Sequence, residues 1–185
     1  DVVIAQYPVN KGPAFNTCID VVRKKLMVFS TDGSGKYEEK DVPAEHAGKL
    51  EELHQALLEK VAESSEDLLN EFFENGTLSD EQLAAGLKTA IRERKIYPIF
   101  CMAAQNNVGV GRIIEFFINY CPDPLTGKIF PAKKGNGEEI TINPNPAGDA
   151  TAFVFKTISE AHVGELSLFR VYNGTVTPGM DLINQ

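Results

Sequence analysis

Cysteine is scarce and scattered: Cys18, Cys101 and Cys121 are the only three in 185 residues, and no CxxC pair occurs among them. So odd and widely spaced a set excludes a disulfide framework or a cysteine zinc site. Its placement in or beside apolar runs such as YPIFCMAA marks small core hydrophobes in a reducing compartment. Histidine is equally scarce, and His46, His54 and His162 share no ligand spacing such as HxxxH, so no metal constellation is expected. Long hydrophobic runs are missing too, none approaching the ~20 residues of a membrane span. With Asp1-Val2-Val3 as neither a charged signal start nor an initiator methionine, a cytoplasmic protein without a membrane partner is expected. Positive charge is in deficit, 18 Lys and Arg against 26 Asp and Glu for a net charge of −8, which excludes a generic phosphate or DNA binder.

At 43% hydrophobic and 24% charged, the chain has the composition of a folded protein, with sequence for one domain or one domain plus a piece of another. The missing initiator and the abrupt ending in MDLINQ make it an expected piece of a longer chain. Asp1 to Gln6 and Phe15 to Val22 read as strands. Leu26 to Phe29 leads into a hairpin tip at Thr31-Asp32-Gly33-Ser34-Gly35. From Pro43 the period becomes helical. Leu50, Leu53, Leu57 and Val61 recur three and four apart, and Leu68-Leu69 and Phe72-Phe73 continue the face beyond a polar break at 64–67. Asn75-Gly76 is a stop, and Ser79-Asp80-Glu81-Gln82 spells a capping box for a helix with Leu83, Leu87, Ala90 and Ile91 as its stripe.

Residues 38–95 hold 15 acidic and 7 basic residues, so the whole net charge of −8 resides in this helical block. It is a solvated outer face or a docking surface for a basic partner. Ile96 to Cys101 fits a buried strand, followed by the small-residue loop from Met102 to Gly109 and an amphipathic helix carrying Val110, Ile113, Ile114 and Phe117 up to Pro122. Strand, loop and helix in that order form an α/β unit. The stretch 122–146 is rich in glycine and proline and reads as a linker, after which 150–158 and 165–172 alternate as strands.

General catalytic motifs are absent. Gly33-Ser34-Gly35-Lys36 fails as a P-loop because Ser30 stands at the first glycine position and Tyr37 at the magnesium hydroxyl. Asp32-Gly33-Ser34-Gly35 fits a loose DxxG but reads as a turn, and no GxSxG elbow occurs.

Phe155-Lys156-Thr157, Gly164 through Gly174, Pro178-Gly179 and Asn184 resemble the start of the second domain of elongation factor G, a translational GTPase. Upstream, Phe15 through Ile19-Asp20, the acidic helices, the strand with Cys101, Asn107-x-Gly109-Val110 and Pro122-Asp123-Pro124 are similar to that family in the same order. The resemblance implies an α/β (α+β) fragment. Residues 1–121 would be the C-terminal part of a P-loop GTPase domain, with an inserted α/β subdomain at about 6–95 and the last core strand and helix at 96–121. The linker at 122–146 would lead to the first strands of an incomplete translation-factor β-barrel at 147–185.

The same resemblance implies a longer parent, a monomer, that binds GTP or GDP with magnesium and hydrolyses GTP on the ribosome. The P-loop, switches and NKxD motif would all lie before Asp1, and Asn10-Lys11-Gly12-Pro13 is no substitute because the aspartate is missing. The remaining nucleotide element is Ala103-Ala104-Gln105, where the family usually has Ser-Ala and a large residue. There the Ala104 N–H would reach the guanine carbonyl oxygen, while Met102 and Ala103 depart from the usual residues. The fragment itself is expected to hold no catalytic residue, no metal and no bound nucleotide. The insertion resembles the region that meets the ribosomal stalk protein. The barrel resembles the part that rests on the small subunit, where Lys156 and Arg170 would approach ribosomal RNA phosphate. Alternatives are a noncatalytic ribosome-binding relative and a ribosomal protection factor.

Overall fold

The computed structural model describes residues 1–123, 125 and 130–183. These form two units, Asp1–Pro122 and Asp123–Gln185, in a mixed α/β chain. Pro124 and Asn184, used above for the resemblance, and Gly127 within the expected linker lie outside the described residues.

In the first unit the opening β-branched run splits at Ala5 into β1 (Val2–Ile4) and β2 (Gln6–Pro8). β1 pairs in parallel with β6 (Tyr97–Ile99), Val2 opposite Tyr97 and Ile4 opposite Ile99. A parallel pair requires a crossover, and here it contains an entire substructure. β2, β3 (Thr17–Asp20), β4 (Lys25–Phe29) and β5 (Tyr37–Lys40) form an antiparallel sheet in that order. The Asp-Gly and Ser-Gly pairs form the tip between β4 and β5, where Gly33 and Gly35 have positive φ.

Three helices follow: α1 (Ala44–Ala62), α2 (Glu66–Asn75) and α3 (Asp80–Arg92). Leu57, Leu58 and Val61 of α1 join Leu83, Leu87 and Ala90 of α3 over Val3, Ile19 and Val21. Each such buried side chain contributes about 1.5–3 kcal/mol. The polar break at 64–67 is a helix start, because the Ser65 hydroxyl accepts from the Leu68 N–H at 3.2 Å. Gly76 closes α2 in the left-handed conformation at φ 68°. The capping box forms: Gln82 N–H donates to the Ser79 hydroxyl at 3.2 Å, and Ser79 N–H donates to Gln82 Oε1 at 2.8 Å. Satisfying these free donors is worth about 1 kcal/mol per cap.

Three expected faces are corrected. The strand from Ile96 is not buried throughout: Ile96 is enclosed, but Tyr97 and Ile99 of β6 are exposed because β1 is its only strand neighbour among the described residues and no layer covers that side. In α4 (Val110–Tyr120) the packed face carries Arg112 and Phe116, while Ile114, Phe117 and Ile118 face outward, with Phe117 55% and Ile118 75% exposed. Phe73 of α2 is likewise exposed rather than continuous with the helical stripe.

The second unit corrects the linker at 122–146, which contains a hairpin of β7 (Phe130–Lys133) and β8 (Glu139–Ile142). Gly137 at φ 86° turns the chain between them, which is what the glycine content encoded. β9 (Thr151–Glu160) and β10 (Gly164–Asn173) form a long antiparallel hairpin with register shifts after Leu168 and Val171. The rings of Phe130 and Tyr172 lie 4.2 Å apart, and Asn173 donates to Asp149 O at 2.9 Å while accepting from the Asn145 N–H at 3.0 Å. These contacts tie the two hairpins together.

Gly86 marks a close helix approach, since a Cβ built there would clash with Val61 Cγ1 and lie 2.9 Å from Leu68 Cδ1. Gly86→Val is expected to destabilise the first unit by about 1–3 kcal/mol through overpacking. An unchanged denaturant midpoint would show that α1, α2 and α3 separate easily and that this contact is not tight.

Candidate nucleotide-base loop and its support

β6 runs out through Cys101 into a tight loop. Ala103 N–H donates to Val108 O at 3.0 Å and Val108 N–H donates back to Ala103 O at 3.1 Å, pinching the loop at its base. Ala104–Asn106 form one 3-10 turn, with Asn106 N–H on Ala103 O and Asn107 N–H on Ala104 O, both at 3.1 Å. The small side chains of Ala103 and Ala104 permit so tight a path, and the first N–H groups of a helical turn have no partner within it. No side chain caps this turn. Asn107 and Gly109, at φ 55° and 78°, take the left-handed conformations that turn the loop into α4. Gly109 is required for space as well: a Cβ there would sit 2.9 Å from Cys101 O.

Beneath the loop is a buried charge network. Arg112 Nε donates to Asp20 Oδ2 at 2.8 Å, and both side chains are 0% exposed. Gln6 Nε2 donates to the same oxygen at 3.2 Å, and the Arg23 N–H donates to Asp20 Oδ1 at 2.9 Å. The Arg112 Nη atoms form no hydrogen bond; Nη1 lies 3.8 Å from Glu115 Oε2. Glu115 is held by Arg23 at 2.6 Å and by the Tyr37 hydroxyl at 3.3 Å, and Arg23 also pairs with Glu39 at 2.7 Å. One cluster thus joins β2, β3 and β5 to α4.

Burial alone pushes the Glu115 carboxyl up. The hydrogen bond and charge of Arg23, with the charge of Arg112, outweigh it and hold the group below the ordinary carboxylate value. Burial, reinforced by the nearby Asp20 and Cys101, pushes the Cys18 thiol up to about 12, against a lowering by Arg112. Cys18 is therefore a core residue without nucleophilic character. Cys101 belongs to the rim of the same small cluster with Met27, Phe29 and Val108, and its thiol is also raised by burial.

A cavity of about 370 Å³ lies beside the loop, lined by Gln105, Asn106 and Val108 on one side and by Pro13, Phe15, Asp32 and Gly33 among others opposite. Gln105 is therefore on its wall, whereas Ala103 and Ala104 are not among its lining residues. Asn10 is occupied structurally, accepting from Thr17 N–H at 2.9 Å and donating to Ala14 O at 2.5 Å. The Asp32 carboxylate, held at about 2 first by the Ser34 and Ser30 side chains, accepts from the Ser34 N–H at 2.8 Å and closes its own turn. Buried His54 donates from Nδ1 to Val21 O at 2.9 Å. Lys156 on β9 and Arg170 on β10 are exposed, with the Arg170 guanidinium 5.9 Å from the Tyr172 ring centre. Among the described residues no three His, Cys, Asp or Glu side chains converge to hold a metal ion, and no helix is long and apolar enough to cross a membrane.

Sequence reasoning found the loop but missed Arg112, Asp20, Gln6, Arg23 and Glu115. The available signal was an Arg112–Glu115 spacing of one helical turn and a charge on the same side of α4 as Phe116. No protein-family model matches the chain. Among solved structures, a crystal structure of a protein from Thermus thermophilus is similar over 97% of this chain, with 23% sequence identity and a TM-score of 0.72. The likeness is one of fold. This chain spans 24% of that protein's length.

Removing Asp20 as Asp20→Asn leaves Arg112 charged, buried and uncompensated, so a loss of about 3–5 kcal/mol is expected in chemical denaturation. The double variant Asp20→Asn with Arg112→Met should recover much of it; no recovery would mean that the pair is not the seat of the effect. Glu115 contributes in a pH-dependent way. Its folded value is depressed, so its stabilisation is full above the unfolded value of about 4.3 and disappears as pH falls through the folded value. Glu115→Gln should flatten the fall in melting temperature between neutral and acid pH, by a modest amount because the group is partly solvated.

Proposed function

We propose that the chain is part of a ribosome-associated translational GTPase resembling elongation factor G, whose GTP binding and hydrolysis drive movement on the ribosome. The observation that carries this reading is topological: a parallel β1–β6 pair brackets an inserted sheet and three helices, then delivers the chain straight into the 103–105 loop and α4. In the proposal, Gln6 to Lys95 is the insertion, Ile96 to Cys121 completes the nucleotide-binding core, and the strands from Thr151 begin the barrel. The exposed apolar residues of β6 and α4 fit a surface that the rest of such a core would cover.

Guanine would be read at Ala104. Its N–H, at the start of the 3-10 turn, suits the guanine carbonyl oxygen, and this contact needs no side chain, so Ala103 in place of serine is compatible with it. GTP with magnesium, when bound in the parent, supplies the phosphoryl chemistry, which depends on positioning and charge stabilisation. The present residues hold neither the phosphates nor the metal in this proposal. The acidic helices would face the stalk protein, and Lys156 and Arg170 ribosomal RNA. A noncatalytic ribosome-binding relative is the second reading: Met102 and Ala103 mark a divergent loop, and a parent lacking the P-loop and NKxD motifs would favour it.

GTP hydrolysis by the longer parent, with and without ribosomes and with the 185-residue chain as control, tests the first reading. Ribosome-stimulated turnover by the parent alone is expected; ribosome binding without turnover would favour the second. Ala104→Pro isolates the base contact, because proline suits the first position of a helical turn while removing the N–H. GDP affinity of the parent should then fall about tenfold, and an unchanged affinity would remove Ala104 from the base site.

A further inference from the structure

The tip of the β4–β5 hairpin touches the candidate base loop at one well-defined place. Asn107 Nδ2 donates to Gly33 O at 3.0 Å, a hydrogen bond between segments far apart in sequence. The Asn107 side chain also lies directly against Gly35, where an added Cβ would come within 2.7 Å of Nδ2. Glycine at 35 is thus needed both for its φ of 73° and to admit the asparagine. Asn107 is itself left-handed at φ 55°, a conformation asparagine tolerates better than most residues, so its side chain is aimed at the tip by the same turn that closes the loop. Along β5 the hairpin is also tied to α4, because Tyr37, at the tip end of the strand, and Arg23, itself bound by Glu39 farther along it, both hold Glu115. The loop and its helix are therefore held at two points by one hairpin.

We infer that the β4–β5 hairpin is a brace for the 103–108 loop, with Asn107 as the positioning residue that fixes the loop's shape against the Gly33 carbonyl. Resting on the proposal that this loop reads guanine, the brace sets how long a guanine nucleotide stays bound, and it places nucleotide retention under the control of the inserted sheet. A displacement of the hairpin tip would release the loop without any change at the phosphates. Asn107 acts through backbone geometry and touches no nucleotide.

Two variants separate the side chain from the backbone. Asn107→Gly keeps the left-handed conformation without steric strain and deletes the amide; Asn107→Asp keeps the size and removes the donor. Hydrogen exchange on the 185-residue chain is the first readout. Both variants should lower protection at the Asn106 and Val108 amides by about two- to fivefold, the range expected for losing one exposed hydrogen bond. Protection along β3 and β4 and the melting temperature should stay within error. Unchanged protection in the loop overturns the brace.

The second readout is release of a fluorescent GDP analogue from the longer parent, which should accelerate by a similar factor in both variants. Exchange that rises while release stays constant overturns the assignment of nucleotide retention to the brace. A wild-type parent that binds no GDP analogue defeats the guanine reading, and with it the retention claim. The exchange measurement on the chain still decides whether the brace exists.

Discussion

The ion pair between Asp20 and Arg112 is the constraint around which the first unit is arranged. A buried carboxylate and guanidinium stabilise a fold only when each is met by its partner and by further hydrogen bonds. Asp20 meets that condition through Arg112, Gln6 and its own turn at Arg23. Arg112 meets it only through Nε. The consequence is geometric: α4 can occupy only the rotation and height at which Arg112 reaches Asp20. That rotation turns Phe116 inward to pack between Phe100, edge-on, and Tyr120, tilted, with ring centres at 4.6 and 4.8 Å. It also turns Ile114, Phe117 and Ile118 outward.

The outward strip follows from the same pair. An amphipathic helix ordinarily turns its most apolar stripe to the core, yet α4 turns a mixed face inward and leaves an apolar one uncovered, just as Tyr97 and Ile99 of β6 are uncovered. With an unpaired buried charge costing several kcal/mol and each exposed isoleucine or phenylalanine forfeiting about 1.5–3 kcal/mol, neither orientation satisfies this segment by itself. Both demands are met together only if another layer covers the strip. That is the physical support for the proposal that β1, β6 and α4 belong to a larger nucleotide-binding core, and it is independent of any motif.

Local chemistry was legible in the sequence, and long-range pairing was not. Ser79 and Gln82 spell their capping box within four residues, and Asn75-Gly76 spells its stop, so the ends of α2 and α3 could be read directly. Ser65 carried the same information but was obscured by the polar run around it. The hairpin at 130–142 was missed because Gly137 and its neighbours look alike in a turn and in a linker, and the flanking strands are short. At the candidate site, Ala103-Ala104-Gln105 was singled out by resemblance and by its place after a strand. The partners that hold it were invisible, since Asn107 to Gly33 and Arg112 to Asp20 join residues separated by 74 and 92 positions. A charged residue on an otherwise apolar helix is naturally assigned to solvent; only the tertiary position of Asp20 reverses that assignment.

Charge is divided just as sharply between the helices and the loop. The acidic excess is confined to the block of 38–95, while the loop 102–109 contains no charged residue at all. A neutral loop with free backbone donors suits an uncharged hydrogen-bonding edge better than a phosphate, which attracts cationic side chains. An acidic helical face suits a basic protein and repels nucleic acid. The two surfaces thus differ in chemical character, and the β4–β5 hairpin is the element that reaches both. It extends the sheet on which the acidic helices pack, and its tip rests on the loop. If a partner docks on the acidic helices as proposed, force on them has a short covalent and hydrogen-bonded route to the loop, through one sheet and one asparagine.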